Sequence, residues 1–583
     1  MNLKTIFPTV MMLFALSVMA KNPYLPMTAF IPDGEPRVFT HNGETRVYIY
    51  GSRDEKVTGY CGYGHDVWSA PIHDLTNWTN HGEIFHLRQL TDLGWSIAEY
   101  DPISNTGGQN FAAPDCIYHP ASGKYYLYTW LGGGPRRALV ASSDSPTGPF
   151  TDPVECEWPI VGGFSEWYDP AAFVDDDGRV YVYWGGGRVH RPYRAEVDPN
   201  DMHTIIGGYT YDNTGLTDFF EAASMRKITL NGVSKYVLVY MPTGLRGALV
   251  YSYADHPLGP FTYGGIIVSN YGAPWGEYLN GGNNHGGIFE GANGQWYVAY
   301  HRQSNDDYSR QARIEPIHLR MEDGKVLIDQ VPVTSQGVEM NGLDAFRRYN
   351  AGIYCYREGS VVFAGNRREP DGLNPLTGIK DQATVGYMYL NFGDRQIRNS
   401  DRLKLRLHIL TNTDGYVEVL IADDPAIDPE NKNKRSIGRI NFTANSQWHE
   451  LEGLLSGIDS CPVTLQGKRG VYLRFGSNGH DGEICQLKEL EFALGDSPTP
   501  NPLHRIVLPA AKAGGKLAAV PSRAQAGESV KLVPEPEKGY GLNEKALKVT
   551  CRNAPVMTNR NADGTYEFKM PDAPVNVHAV FIK

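Results

Sequence analysis

The chain predicts an all-β protein: a five-bladed β-propeller followed by a β-sandwich (jelly roll) and a small C-terminal β domain. Three observations carry the propeller. A lone Asp, Glu or His precedes a Tyr-rich strand five times between residues 33 and 300. The five are Asp33 (IPDGEPRVF, then RVYIYG), Asp115 (FAAPDCIYH, then KYYLYT), Asp169 (YDPAAFVDDDG, then RVYVYW), Glu221 (FFEAASMRKI, then KYVLVY) and His285 (NNHGGIFEG, then QWYVAY). The gap from the polar residue to the last Tyr of its strand is 13 to 19 residues each time. The unit recurs roughly every 50–80 residues, as radial repetition of a blade requires. Between these points lie only short strands broken by Gly and Asp-Gly turns, with 64 Gly and 35 Tyr in 583 residues.

In a propeller the innermost strand of each blade runs along the central channel. One polar residue per blade at one strand position therefore converges on the axis. Three carboxylates, a fourth in reserve and an imidazole around one pocket form a catalytic constellation.

Residues 1–20 carry Lys4, an apolar stretch and then Val18-Met19-Ala20. This reads as a secretory signal peptide cleaved before Lys21, which directs the protein to the periplasm or the medium. No Cys follows until Cys61, so no lipoprotein anchor is expected, and no later stretch approaches 18 apolar residues. Residues 21–340 hold the repeats. ASSDSPTGPF (141–150) resembles YSYADHPLGPF (251–261), each an outer part of a blade, and DDDG at 175–178 is a hairpin turn rather than a metal loop. Repeats stop near 340. Alternating runs such as LKLRLHIL (403–410) place a β-sandwich over 341–495, its sheets wet on one side. Residues 496–510 read as a Pro-rich linker and 511–583 as a small β module of unknown role.

The net charge of −11 argues against nucleic acid and leaves no basic patch for a membrane. Seven cysteines without metal spacing read mostly as buried thiols; Cys461 and Cys485 fall in one domain and could pair, which the sequence leaves open.

Cleaving a glycosidic bond takes a protonated acid at the leaving oxygen and an ionised base on the opposite face. The two stand about 6.5–9.5 Å apart in inverting enzymes and about 5–5.5 Å in retaining ones. The ring can supply either, so the residues leave stereochemistry open. Glu221 follows Phe219-Phe220, and a desolvated Glu suits an acid. Asp33 lies in a tight turn near Arg37, which keeps a base ionised; Glu35, on the same strand face, is its rival. Asp169 is a third carboxylate able to hold Glu221 protonated by repulsion. Trp95, Trp167, Trp184 and Trp275 are candidates for stacking on sugar faces.

The ordered set PDGEPRVF, APDCIYH, YDPAAFVDDDGRVYVYWG, FFEAASMRKI and NNHGGIFEGANGQWYVAYHR resembles family 43 of the glycoside hydrolases over about 300 residues. Those are five-bladed propellers that hydrolyse arabinofuranosides and xylosides with inversion. The resemblance implies Asp33 as general base, Glu221 as general acid and Asp169 as the group tuning and orienting the acid. It implies Asp115 and Arg310 (in SRQARIEP) as substrate contacts, and His285 as the axial imidazole of members that bind calcium through it and waters. It implies no organic cofactor. One departure is that Pro32 precedes Asp33, where the family more often has Asp-Pro. GIKDQATVGYMYLNFG (378–393) resembles family 6 carbohydrate-binding modules, which leaves the sandwich either a glycan binder or a clamp on the propeller.

The implied activity is release of terminal α-L-arabinofuranosyl units from plant cell-wall polysaccharide: arabinan, arabinoxylan or arabinogalactan. β-Xylosidase and β-galactofuranosidase are close alternatives, and a non-catalytic glycan-binding propeller is a distant one. A retaining propeller of the invertase type would carry Trp-Met-Asn-Asp-Pro-Asn and Arg-Asp-Pro motifs, both absent.

Overall fold

A computed structural model describes residues 21–583 apart from 57–58, 134–135, 160–167, 187–189, 246, 271–281, 305–307, 364–373, 424–431, 478, 496–502, 510–513, 522, 526–527, 552–553, 562–563 and 572–573. The signal segment 1–20, Trp167, Trp275 and most of the Pro-rich run lie outside the described residues. Residues 20–500 form one compact unit and 501–583 belong to a second.

Five antiparallel sheets follow one another in chain order. Blades 1 to 4 have four strands each and blade 5 has three. Their inner strands are Glu35–His41, Asn110–His119, Ala171–Val174, Phe219–Leu230 and Gly287–Glu290. Each packs beside the inner strand of the next blade, and the fifth returns to the first, so the ring closes. Closure leans on Asn22, whose side-chain amide accepts from the Ile314 N–H (2.9 Å) and donates to the Ile314 carbonyl (2.8 Å). It satisfies the blade 5 edge as a neighbouring strand would.

The core lies between blades. Tyr50, Phe85 and Leu87 of blade 1 pack on Phe111, Leu127 and Leu139 of blade 2, and equivalent clusters fill the 2–3, 3–4 and 5–1 interfaces. Here the repeated Tyr has its reason. Tyr50 donates its hydroxyl to the Pro146 carbonyl (2.6 Å), Tyr128 to Met202 (2.7 Å) and Tyr183 to Pro257 (3.0 Å). Each buried ring fills the gap between blades while its hydroxyl satisfies a carbonyl in the next one. Pro146 and Pro257 belong to the two similar SPTGPF and HPLGPF segments, which turn into the fourth strands of blades 2 and 4.

The sandwich stacks two sheets, and the strand Leu403–Thr411 buries every second residue, as LKLRLHIL requires. It is docked on blade 5: Arg302 and Arg313 both donate to the Tyr354 carbonyl, at 3.0 and 3.3 Å. All seven cysteines are free thiols, so Cys461 and Cys485 do not pair; Cys485 is buried on a strand and Cys461 sits in a turn. The described residues of the C-terminal unit form three small sheets, of five, four and two strands. Its strand Leu503–Val507 pairs with Arg523–Gln525 and Val575–His578, so the module takes in residues read as linker. No described helix is long and apolar enough to cross a membrane.

Candidate active site

Asp33, Asp169, Glu221, His285 and Arg310 line one cavity of about 580 Å³. Blade 2 contributes Ala112 rather than Asp115. A bulge between Ala112 and Asp115, with Ala113 at φ +44°, puts the APD carboxylate out of register with the other four. Asp115 Oδ1 accepts from Arg37 Nε (2.8 Å), and Oδ2 accepts from Arg37 Nη2 (2.6 Å) and the Ala172 N–H (2.8 Å). It therefore serves the axis of the ring and is not among the residues lining the cavity. Glu35 is also off the cavity. Two residues past Asp33, or about 6–7 Å along the strand, it accepts from Ser224 Oγ (2.9 Å) and Arg226 Nη2 (2.7 Å).

Asp33 adopts φ +57°, a left-handed turn that Asp tolerates better than most residues. Its N–H donates to His301 Nδ1 (3.1 Å), which leaves the His301 proton on Nε2, facing Asn283 Oδ1 at 3.3 Å. Arg310 Nη1 donates to Asp33 Oδ1 (2.8 Å), and the Cys61 thiol stands 3.6 Å from Oδ2. Burial alone pushes the Asp33 carboxyl up, but Arg310, with His301 and His285 behind it, outweighs burial and holds it down at about 2. Asp33 is thus an anion under any ordinary condition. Burial and Arg310 together keep His301 well below the usual imidazole range.

Asp169 adopts φ +45° and has both oxygens engaged: Trp130 Nε1 donates to Oδ1 (3.1 Å) and the Ala222 N–H to Oδ2 (3.0 Å). His285 Nδ1 lies 3.7 Å from Oδ2. Burial raises the Asp169 carboxyl above its ordinary value; His285 opposes this and the Asp33 anion adds to it. Glu221 is half-buried on a bulged stretch, with Ala222 at φ +68°. A Cβ on Gly186 would meet the Phe220 carbonyl at 2.6 Å and Glu221 Cβ at 3.0 Å, so only glycine leaves Glu221 its place. Non-glycine residues at positive φ recur around the cavity (Asp33, Cys61, Asp169, Asn283), where strain is kept by the surrounding ring.

The walls come from loops of several blades. Trp130 and Tyr168 pair at 4.8 Å with Arg136 stacked 4.4 Å over Tyr168, and Tyr60 meets Tyr308 at 5.0 Å. The sequence reading missed Tyr60, Cys61 and Arg136, loop residues that carry no period, and Trp130, which stands on the strand Lys124–Gly132 beyond its Tyr repeat. Of the tryptophans proposed for stacking, Trp184 is fully buried between blades and Trp95 packs on the blade 1–2 core.

Calcium prefers six to eight oxygen ligands. Among the described residues no group of three or more His, Cys, Asp or Glu is placed to hold a metal, and both oxygens of the nearest carboxylate, Asp169, are already engaged. These residues do not by themselves form a calcium cage; His285 would add one nitrogen to a site built largely of water.

An ionised carboxylate held by Arg310 and a half-buried acid in the same cavity, at the axis of a five-bladed ring, are the equipment of a glycoside hydrolase. The sequence profile of glycosyl hydrolases family 43 matches residues 27–326. A xylosidase/arabinosidase of Thermoclostridium stercorarium is 33% identical over 64% of this chain and 82% of that protein. An arabinoxylan arabinofuranohydrolase of Paenibacillus polymyxa is 25% identical over 80% of this chain and 73% of that one. The crystal structure of the Bacillus subtilis arabinoxylan arabinofuranohydrolase in complex with cellotetraose aligns over 81% of this chain and 97% of its own, at 24% identity and TM-score 0.42. The chain belongs to glycosyl hydrolase family 43.

Proposed function

We propose that this chain is a secreted, inverting glycosidase that removes terminal α-L-arabinofuranosyl units from arabinoxylan or a related plant polysaccharide. The observation that carries it is an Asp33 held ionised by Arg310 and a half-buried Glu221 lining one cavity. Asp33 accepts the proton of the water that attacks the anomeric carbon, and Glu221 protonates the departing oxygen on the other face. Asp169 orients Glu221 through the backbone of Ala222 and, as a nearby carboxylate, favours its protonated form. The relatives support the sugar: arabinofuranohydrolases and xylosidase/arabinosidases recur among them. Secretion is supported by Lys4 and the apolar run after it.

The test is hydrolysis of p-nitrophenyl α-L-arabinofuranoside, β-D-xyloside and β-D-galactofuranoside by wild type and Asp33→Asn, with NMR of the first-formed anomer. Arabinose release with inversion by wild type, and a loss of about 10²–10⁴-fold in the variant, is expected. Preference for the xyloside would make the protein a β-xylosidase. Silence of the wild type on all three and on arabinoxylan would sink the reading.

A further inference from the structure

Ser52 ends the second strand of blade 1 (Glu44–Ser52) and Asp54 lies two residues on, with the alternation of an extended chain, and both are buried. Arg53 between them turns outward to Asp66 (3.2 Å) and Glu83 (2.9 Å). Asp54 meets Arg310. Arg310 Nε and its backbone N–H both donate to Asp54 Oδ2 at 3.0 Å, and Nη2 donates to Oδ1 at 2.8 Å. This is the bidentate fork of an Arg–carboxylate pair, with no exposed surface on the Asp54 side chain. The Nε–Nη2 edge of the guanidinium is consumed, and Nη2 also donates to Cys61 Sγ (3.3 Å), on the turn that Asp54 holds. Only Nη1 is left to reach Asp33, and it makes one bond, to Oδ1.

The consequence is chemical. A buried guanidinium beside a buried carboxylate settles in the two-bond fork when nothing prevents it. That fork would set a guanidinium N–H on both Asp33 oxygens and leave neither clear of the cation to take a proton from water. We infer that Asp54 is a positioning residue of the hydrolysis: by clamping one edge of Arg310 it confines Arg310 to Asp33 Oδ1 and keeps Asp33 Oδ2 clear of the guanidinium. Asp54 also accepts from the Cys61 N–H (3.1 Å), which fixes the turn carrying the thiol that faces Oδ2. It does not line the cavity, so it acts through Arg310. In Asp54→Asn one fork oxygen becomes an N–H donor facing an N–H donor. Arg310 is then released toward Asp33, and its charge is no longer shared with a second anion. Both effects weaken the base.

The inference rests on Asp33 being the base, and the experiment separates the two. Wild type, Asp33→Asn, Asp54→Asn, Arg310→Lys and the double variant Asp54→Asn/Arg310→Lys are compared on the best p-nitrophenyl glycoside, with melting curves for each. The expected result is a kcat loss of about 10²-fold in Asp54→Asn with KM within about threefold. The double variant should be no slower than Arg310→Lys, because a lysine offers no edge to clamp. Wild-type kcat in Asp54→Asn, or losses that multiply in the double variant, would overturn the proposal. If Asp54→Asn fails to fold, Arg310→Lys decides. A comparable kcat loss at unchanged KM supports the proposal, and near-wild-type kcat overturns it. Equal rates for wild type and Asp33→Asn would instead remove the base itself.

Discussion

Asp169 of blade 3 accepts the backbone N–H of Ala222 of blade 4 at 3.0 Å, so one carboxylate grips the chain immediately after Glu221. Its other oxygen accepts the Trp130 indole N–H at 3.1 Å. Both partners are obligate donors. Asp169→Asn therefore sets an amide N–H against one of them whichever way the side chain is flipped. The expected outcome is a kcat loss of about 10²-fold with folding preserved, read from steady-state kinetics beside a melting curve. Unchanged kcat would mean that the grip on Ala222 does not orient the acid.

Glu221 is assigned as the acid, and leaving-group chemistry tests that assignment. A p-nitrophenolate departs without help, whereas a sugar alcohol has to be protonated. Glu221→Gln is expected to lose about 10²–10⁴-fold on arabinoxylan oligosaccharides and far less on the p-nitrophenyl glycoside. Equal losses on both substrates would place the acid elsewhere.

Gly186 stands where any Cβ would press on the Phe220 carbonyl and Glu221 Cβ, and its φ is +143°. Gly186→Ala is expected to cost about 1–3 kcal/mol of stability and to lower kcat by displacing Glu221. Differential scanning calorimetry and kinetics on the same preparation check the two effects. A variant with wild-type kcat would show that the acid tolerates the shift.

Glu315, buried on blade 5, accepts from Asn22 Nδ2 (2.8 Å), the Thr334 N–H (2.7 Å) and Tyr300 OH (3.1 Å) on Oε1. Burial outweighs the lowering by these hydrogen bonds and by Arg313, and the carboxyl is pushed up to about 7. A carboxyl raised on folding favours the native state while protonated. Its contribution is complete below the unfolded value, about 4.3, shrinks as pH rises, and is lost above about 7. Melting temperature is expected to fall over that window and the Glu315→Gln variant to show a shallower slope. Parallel slopes would mean that Glu315 is already ionised in the native protein.

Much of the propeller was legible because its repeat is physical. Each blade needs a strand rich in Tyr to fill the gap to its neighbour, so the chain repeats its aromatic pattern five times. Asp33, Asp169, Glu221 and His285 could be singled out because each stands at a similar offset, 13 to 19 residues, from that pattern. Asp115 stands at a similar offset and still misses the cavity, because a bulge at Ala112–Ala113 changes its register, and a bulge leaves no mark in residue spacing. Glu35 failed as a rival base for a related reason: same-face neighbours on a strand are separated in depth.

The sequence by itself determined the all-β class, the five blades and the ring of axial side chains, since periodicity in the chain becomes periodicity in space. Only the tertiary structure decided which charged groups meet around Asp33. Arg310 meets Asp33 across 277 positions and Asp54 across 256. Coulomb energies and hydrogen bonds act over a few ångströms of space, and separation along the chain says nothing about them until the ring has closed.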